Sequence, residues 1–154
     1  MDFISTRSLN AVSIEEALLS GTAKDGGLYL PTEIPKIDLN DFLESDDYVS
    51  FSNAMLSPYF SDSSLEECLQ DIVTKSFNFP IQMTALDNHS GNVSMLELYH
   101  GPTAAFKDFG ARFLAACSAE IHAKKSDQER TILVATSGDT GGAVASAFYK
   151  LEGF

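Results

Sequence analysis

One lysine stands among apolar residues in the segment His100-Gly101-Pro102-Thr103-Ala104-Ala105-Phe106-Lys107-Asp108-Phe109-Gly110. Withdrawing a lysine from water disfavours its ammonium form, and a neutral amine is the nucleophile that attacks a carbonyl. Its neighbours Ala104, Ala105, Phe106 and Phe109 supply that desolvation, and the positive end of a helix dipole pushes the same way. Lys107 is thus a candidate for holding an aldehyde cofactor as a Schiff base. The alternative is a stem lying along the aromatic side chains with the ammonium in water. Asp108 has a simpler expected role, favouring the helix N-terminus and pairing with Arg112 four residues on.

A second segment, Thr136-Ser137-Gly138-Asp139-Thr140-Gly141-Gly142, joins an apolar run to an alanine-rich stretch. Backbone N–H groups and hydroxyls in such a connection can converge on a carboxylate or phosphate at a helix N-terminus. Asp139 fits an anion site poorly and would instead accept hydrogen bonds that orient the loop. The bland alternative is that Ser137, Asp139 and Thr140 only cap the next helix. The segment lacks the Gly-Lys-Ser/Thr of a nucleotide phosphate loop and the G-x-G-x-x-G of a dinucleotide fold. His89, His100 and His122 are scattered without partners at ligand spacing, so no metal site is expected. His100, beside Gly101, either lines the pocket or packs at a strand end.

The positioning elements follow from periodicity. Residues 2–6 read as a strand, Ser13 to Glu16 as a capping box opening a helix to Leu19, and Leu28 to Leu30 as a strand ended by Pro31. From Asp38 to Phe77 the pattern is helical, with a second capping box at Ser64 to Glu67. Leu65, Cys68, Leu69, Ile72 and Val73 there form one core-facing stripe. Residues 1–80 therefore read as a small, mostly helical domain. After Pro80, residues 83–86 and 93–99 read as strands joined by a turn at 87–91. Thr103 would cap a helix to about Ala123, with Phe106, Phe109, Phe113, Leu114, Cys117 and Ile121 on or near its buried face. Residues 131–135 read as a buried parallel strand and 141 to about 150 as a helix. Residues 81–154 are thus the start of an α/β domain with parallel strands, both motifs lying where ligands bind in open α/β sheets.

The 154 residues, 44% hydrophobic and 21% charged, suit a soluble globular domain. A net charge of −12 excludes nucleic acid and an anionic membrane surface as partners. No apolar run is long enough to span a membrane, and the N-terminus lacks signal-peptide character, so a cytoplasmic location is expected. Cys68 and Cys117 fall at apolar helical positions and are expected to be buried, reduced thiols.

Taken together, HGPTAAFKDFG and ATSGDTGGAVASAFY closely resemble the threonine synthase family, pyridoxal-phosphate enzymes of the tryptophan synthase β-like fold (fold type II). The opening STRS and the segment GTAKDGGLYLP are similar to that family's N-terminal domain. The resemblance implies conversion of O-phospho-L-homoserine and water into L-threonine and phosphate, with pyridoxal 5'-phosphate as cofactor. By position, Lys107 would hold the cofactor, and Ser137, Gly138, Asp139, Thr140 and Gly141 would surround it. Thr136, Ser137, Asp139 and Thr140 would bind the substrate. Arg7 and Arg112 are candidates for its phosphate. The resemblance also implies an N-terminal portion of such an enzyme, without the later glycine-rich phosphate loop, and hence weak cofactor binding or none by these residues alone. Two other readings compete. One is a serine or threonine dehydratase, which normally carries Asn where Asp139 stands. The other is a non-catalytic chain that self-associates through uncovered sheet surface.

Overall fold

The computed structural model describes residues 1–38, 40, 47–86, 93–125 and 129–154, apart from the side chain of Lys125. The chain opens with β1 (Phe3–Ser5), pairs it with β2 (Ala11–Val12), and enters α1 (Ile14–Ser20). Ser13 Oγ accepts the Glu16 N–H at 3.3 Å, the expected N-cap, and Gly21 ends the helix by donating to Ala17 O. β3 (Tyr29–Pro31) pairs with β1, giving an antiparallel sheet of order β2-β1-β3 in which Pro31 lies on an edge strand. The strands expected at 2–6 and 28–30 are both present, and the short β2 joins them in a small sheet beside the helices. Asp25 ties the turn before β3 back to β1, its Oδ1 accepting from Ser5 Oγ at 2.7 Å and Gly27 N–H at 2.9 Å.

Helix α2 (Tyr48–Phe60) is capped by Asp47, whose carboxylate accepts the Ser50 N–H. A 3₁₀ turn (Glu66–Cys68) then leads into α3 (Leu69–Ser76). The second capping box does not form. Ser64 donates both its N–H and its hydroxyl to Glu15 Oε1, each at 2.7 Å, while Ser63 Oγ takes the Leu65 N–H and Glu66 turns back to the Asp62 N–H. A carboxylate from α1, 49 residues away, outcompetes the local cap because it offers Ser64 two charge-assisted bonds at once. The apolar stripe does hold: Leu65, Ile72 and Val73 are fully buried and Leu69 nearly so, with Cys68 half-buried at its edge.

β4 (Gln82–Ala85) and β5 (Ser94–Glu97) form an antiparallel hairpin, Gln82 opposite Glu97. The turn expected at 87–91, with His89, lies outside the described residues. Helix α4 (Lys107–Lys125) packs on α1, α3 and α5 (Asp139–Phe148). Its Cys117 and Ile121 join Ile14, Phe60, Leu65, Leu69, Ile72 and Val73 in one core, and the Phe113 ring stacks on Phe77 at 5.8 Å. Phe106 and Leu114 do not belong to the buried face; both are exposed.

The chain is thus α/β, but every strand pair among the described residues is antiparallel. Residues 131–135, expected as a buried parallel strand, carry no strand pairing, and Leu133 is 89% exposed. A parallel strand exists only with ladder partners on its edges, and no described strand lies beside this one. No helix among the described residues is long and apolar enough to cross a membrane.

Candidate active site

Lys107 is the first residue of α4, and the backbone before it is wound into consecutive tight turns. Ala104 N–H donates to Gly101 O, Asp108 N–H to Ala105 O and Phe109 N–H to Phe106 O. Thr103 is therefore not the cap of a longer helix. Its N–H and hydroxyl donate to Asp108 Oδ2 and Oδ1 at 2.8 and 2.7 Å. Nor does Asp108 pair with Arg112. The guanidinium reaches across to the end of α3, donating to Ser76 O, Lys75 O and Asn78 Oδ1 at 2.8 to 2.9 Å. Those carbonyls have no partner within their own helix, which makes the cation more favourable there than beside a carboxylate already satisfied by Thr103.

The Lys107 ammonium lies 4.4 Å from the centre of the Phe106 ring. The desolvation expected of its neighbours is incomplete: Lys107 is half-buried, Ala105 is buried, and Ala104 and Phe106 are exposed. An amine in this setting is accessible to an incoming carbonyl and is held by a cation–π contact.

A carboxylate–imidazole pair precedes this segment. Glu97 Oε2 lies 2.6 Å from His100 Nε2, Thr84 donates to Glu97 Oε1 at 2.5 Å, and the Tyr99 ring packs on that of His100 at 4.7 Å. The Thr84 hydroxyl, then His100 and Tyr99, hold the Glu97 carboxyl below its usual range, and Glu97 in turn raises the Tyr99 phenol. Strand periodicity would put residues three apart on opposite faces, so sequence reasoning missed this pair and found no carboxylate partner for His100; it forms because the chain leaves β5 at Glu97. Among the described residues no three His, Cys, Asp or Glu side chains are grouped to hold a metal ion.

Residues 136–140 of the second segment are exposed and Gly141 is half-buried. Helix α5 starts two residues earlier than expected, with Asp139 and Thr140 in its first turn. Its N-cap is Gly138 and no side chain caps it, so the alternative in which Ser137, Asp139 and Thr140 only cap the helix does not hold; Thr136 Oγ1 accepts the Gly138 N–H at 3.2 Å. The free first-turn N–H groups are the donors an anion would take. Gly141 lies close under Thr136: a Cβ at 141 would be 2.3 Å from Thr136 Cγ2, so a larger residue there would turn the Thr136 side chain.

No hydrogen bond joins Lys107 to residues 136–141 among the described residues. What relates them is the packing of α4 on α5, since each segment opens one of these two helices. Small residues permit the close approach: Ala111, Ala115 and Ser118 of α4 and Ala143 of α5 are buried. Arg7, the other cation considered for a substrate phosphate, donates to Asp25 O at 3.2 Å in the N-terminal turn cluster.

Known proteins are similar to the chain in both sequence and fold. The family model for the threonine synthase N terminus matches residues 2–77. The chain is 43% identical over 143 residues to the threonine synthase of Serratia marcescens and 42% identical over 142 to that of Escherichia coli. Those alignments take in 92% and 91% of this chain and 32% of each relative. The crystal structure of the Escherichia coli threonine synthase superposes with a TM-score of 0.84 at 39% identity, covering 99% of this chain and 35% of that one. The pyridoxal-phosphate-bound threonine synthase of Brucella melitensis does so with a TM-score of 0.85 at 33% identity, covering 99% and 34%. The chain spans about a third of the length of these relatives. Across nearly all of its residues, in both sequence and fold, the chain is similar to about a third of a threonine synthase, and residues 2–77 match that family's N-terminal model.

Proposed function

We propose that these residues supply the cofactor lysine and the substrate-carboxylate loop of a threonine synthase, converting O-phospho-L-homoserine and water into L-threonine and phosphate. The observation that carries this reading is that α4, headed by an accessible primary amine, packs on α5, headed by N–H groups that no side chain caps. The donor chemistry fits pyridoxal 5'-phosphate, whose aldehyde needs one such amine. Bound there, the cofactor supplies an electron sink for carbanion chemistry.

The chain's own residues divide the remaining work. Lys107 holds the cofactor and, once displaced by substrate, carries protons at Cα, Cβ and Cγ as phosphate departs from Cγ and water adds at Cβ. Ser137, Gly138, Asp139, Thr140 and Gly141 surround the bound substrate and ring. The hydroxyls of Thr136, Ser137 and Thr140 and the α5 N–H groups fix the substrate carboxylate, which aligns the Cα–H bond for proton removal. Asp139 sits in the first turn of α5, where its carboxylate favours the helix dipole and orients the loop.

In the same reading, residues 1–80 are the N-terminal domain and residues 81–154 begin the cofactor domain. Residues 131–135 then become a strand of its parallel sheet. The exposure of Ile132, Leu133 and Val134 supports this, because an apolar run of that kind is stable against neighbouring strands rather than in water.

The deciding assay is phosphate release from O-phosphohomoserine by the full-length gene product, run beside serine deamination. Threonine and phosphate in equal amounts are expected, and Lys107→Ala abolishes both. Deamination without phosphate release would replace this reading by a dehydratase. A second reading, self-association through uncovered apolar surface, is favoured by the exposure of Met83, Met95, Leu96 and Leu133. Light scattering of the 154-residue chain tests it, a monodisperse monomer being the contrary result.

A further inference from the structure

The Asp108 carboxylate is wholly buried, yet among the described residues no cation pairs with it. Its two oxygens are served by one residue, Thr103, through the backbone N–H and the hydroxyl. Burying a carboxylate on neutral donors alone is costly, so such a group persists where the geometry it enforces is needed. Here the enforced geometry is the loop from Gly101 to Asp108. Gly101 lies flat against the carboxylate: a Cβ at 101 would be 2.5 Å from Asp108 Oδ2 and 2.9 Å from Asp108 Cβ. Ala104, between them, holds φ at +56°, a left-handed conformation that strains a residue carrying a Cβ. Strain of that kind is kept only where surrounding contacts over-determine the backbone, and the two Thr103–Asp108 bonds do so. Lys107 is the residue enclosed by this clamp, with Asp108 following it and the strained turn preceding it.

We propose that Asp108 is a positioning residue. Together with Thr103 it locks the 101–108 loop so that the Lys107 Cα–Cβ bond leaves the helix start in one direction and delivers the amine to the cofactor aldehyde. The proposal rests on reading Lys107 as the cofactor lysine. Asp108 does not itself touch the reacting atoms; it acts through the backbone it shares with Lys107 and through Thr103. The requirement for glycine at 101 is a consequence of the same clamp.

The test uses the full-length gene product with pyridoxal 5'-phosphate, borohydride trapping and peptide mass mapping, alongside thermal unfolding and steady-state kinetics. Thr103→Val keeps the N–H bond and removes the hydroxyl bond; Thr103→Ser restores the hydroxyl; Asp108→Asn keeps the shape and removes the charge. Thr103→Val and Asp108→Asn are expected to slow trapping at Lys107, and to lower kcat, by about tenfold or more, the scale on which sub-ångström misplacement acts. KM should stay within about twofold, and Thr103→Ser should trap at the parent rate. Trapping at the parent rate in both Thr103→Val and Asp108→Asn, with Lys107→Ala unlabelled, overturns the positioning role and leaves the lysine assignment standing. Label persisting on another lysine in Lys107→Ala overturns the assignment and the proposal with it. Slow trapping that Thr103→Ser fails to restore, or that tracks loss of folded protein in the melt, also overturns it.

Discussion

The core around α3 and α4 and the apolar surface of β4, β5 and residues 131–134 have similar side chains and opposite fates. In the first, Leu65, Ile72, Val73, Cys117 and Ile121 are sealed, and the polar groups Glu15, Ser64 and Ser76 at its edge are hydrogen-bonded, whereas Asn53 Oδ1 and His122 Nδ1 are buried without a partner among the described residues. In the second, Met83 is 70% and Leu133 89% exposed. The difference lies in neighbours: α1, α2, α3 and α4 each present an apolar face to another helix, whereas the hairpin and the 131–134 run have no described layer over them. Hydrophobicity marks a residue for burial, and only a second element can carry it out.

The sharpest way to break this contrast is to truncate one side chain on each side of it. Ile72→Ala should destabilise the chain by about 2 to 5 kcal/mol through lost transfer energy and a cavity. Leu133→Ala should change stability by less than about 0.5 kcal/mol, as at other exposed sites. Urea unfolding of both variants measures the difference, and equal effects would show that 131–134 is buried in solution.

The next largest effect concerns Glu15, which crosses the core edge to Ser64. Burial raises its pKa, but the side-chain and backbone hydrogen bonds of Ser64 outweigh that and lower it from 4.5 to about 2. Because the folded value is depressed, the contribution is complete above pH 4.5 and is lost as pH falls from there toward 2. It should amount to about 2 to 3 kcal/mol. Glu15→Gln should flatten that part of the stability-versus-pH curve, whereas an unchanged slope would assign the acid sensitivity to other carboxylates.

Arg112 joins the core helix α4 to the end of α3. Arg112→Met keeps the stem and removes three donors from Ser76 O, Lys75 O and Asn78 Oδ1, at an expected cost of about 2 kcal/mol. Hydrogen exchange should quicken first at the C-terminal turn of α3. The smallest effect is chemical rather than energetic. Burial pushes the Cys117 thiol up to about 12, so iodoacetamide should modify half-buried Cys68 in the native chain and reach Cys117 only on unfolding. Native labelling of Cys117 would mean that the core opens.

Local signals were read well where one segment contained its own partner. The Ser13 cap, the stripe from Leu65 to Val73 and the helix after Lys107 each depend on residues within a turn or two, and all are present. Signals failed where a distant group offered more. Ser64 has a capping-box sequence, but Glu15 takes both its donors; Asp108 has Arg112 at ion-pair spacing, but the α3 carbonyls hold the guanidinium. The 131–135 run has strand composition, and composition cannot supply the ladder that makes a strand. At the candidate site the residue types were legible, Lys107 among apolar neighbours and a loop of hydroxyls and glycines before a helix. The Thr103–Asp108 clamp was not, because an i, i+5 contact through a strained Ala104 follows no helix or strand period.

By itself, the order of residues determined the resemblance to a family, the helix periods, and the candidate amine to watch. These depend on side-chain chemistry and on spacing along one element. Tertiary structure decided which polar group satisfies which, where α5 begins relative to its glycines, and that the two motifs head helices packed on each other. Those outcomes are competitions between groups far apart in sequence, settled by which pairing leaves the fewest buried donors and acceptors unmet.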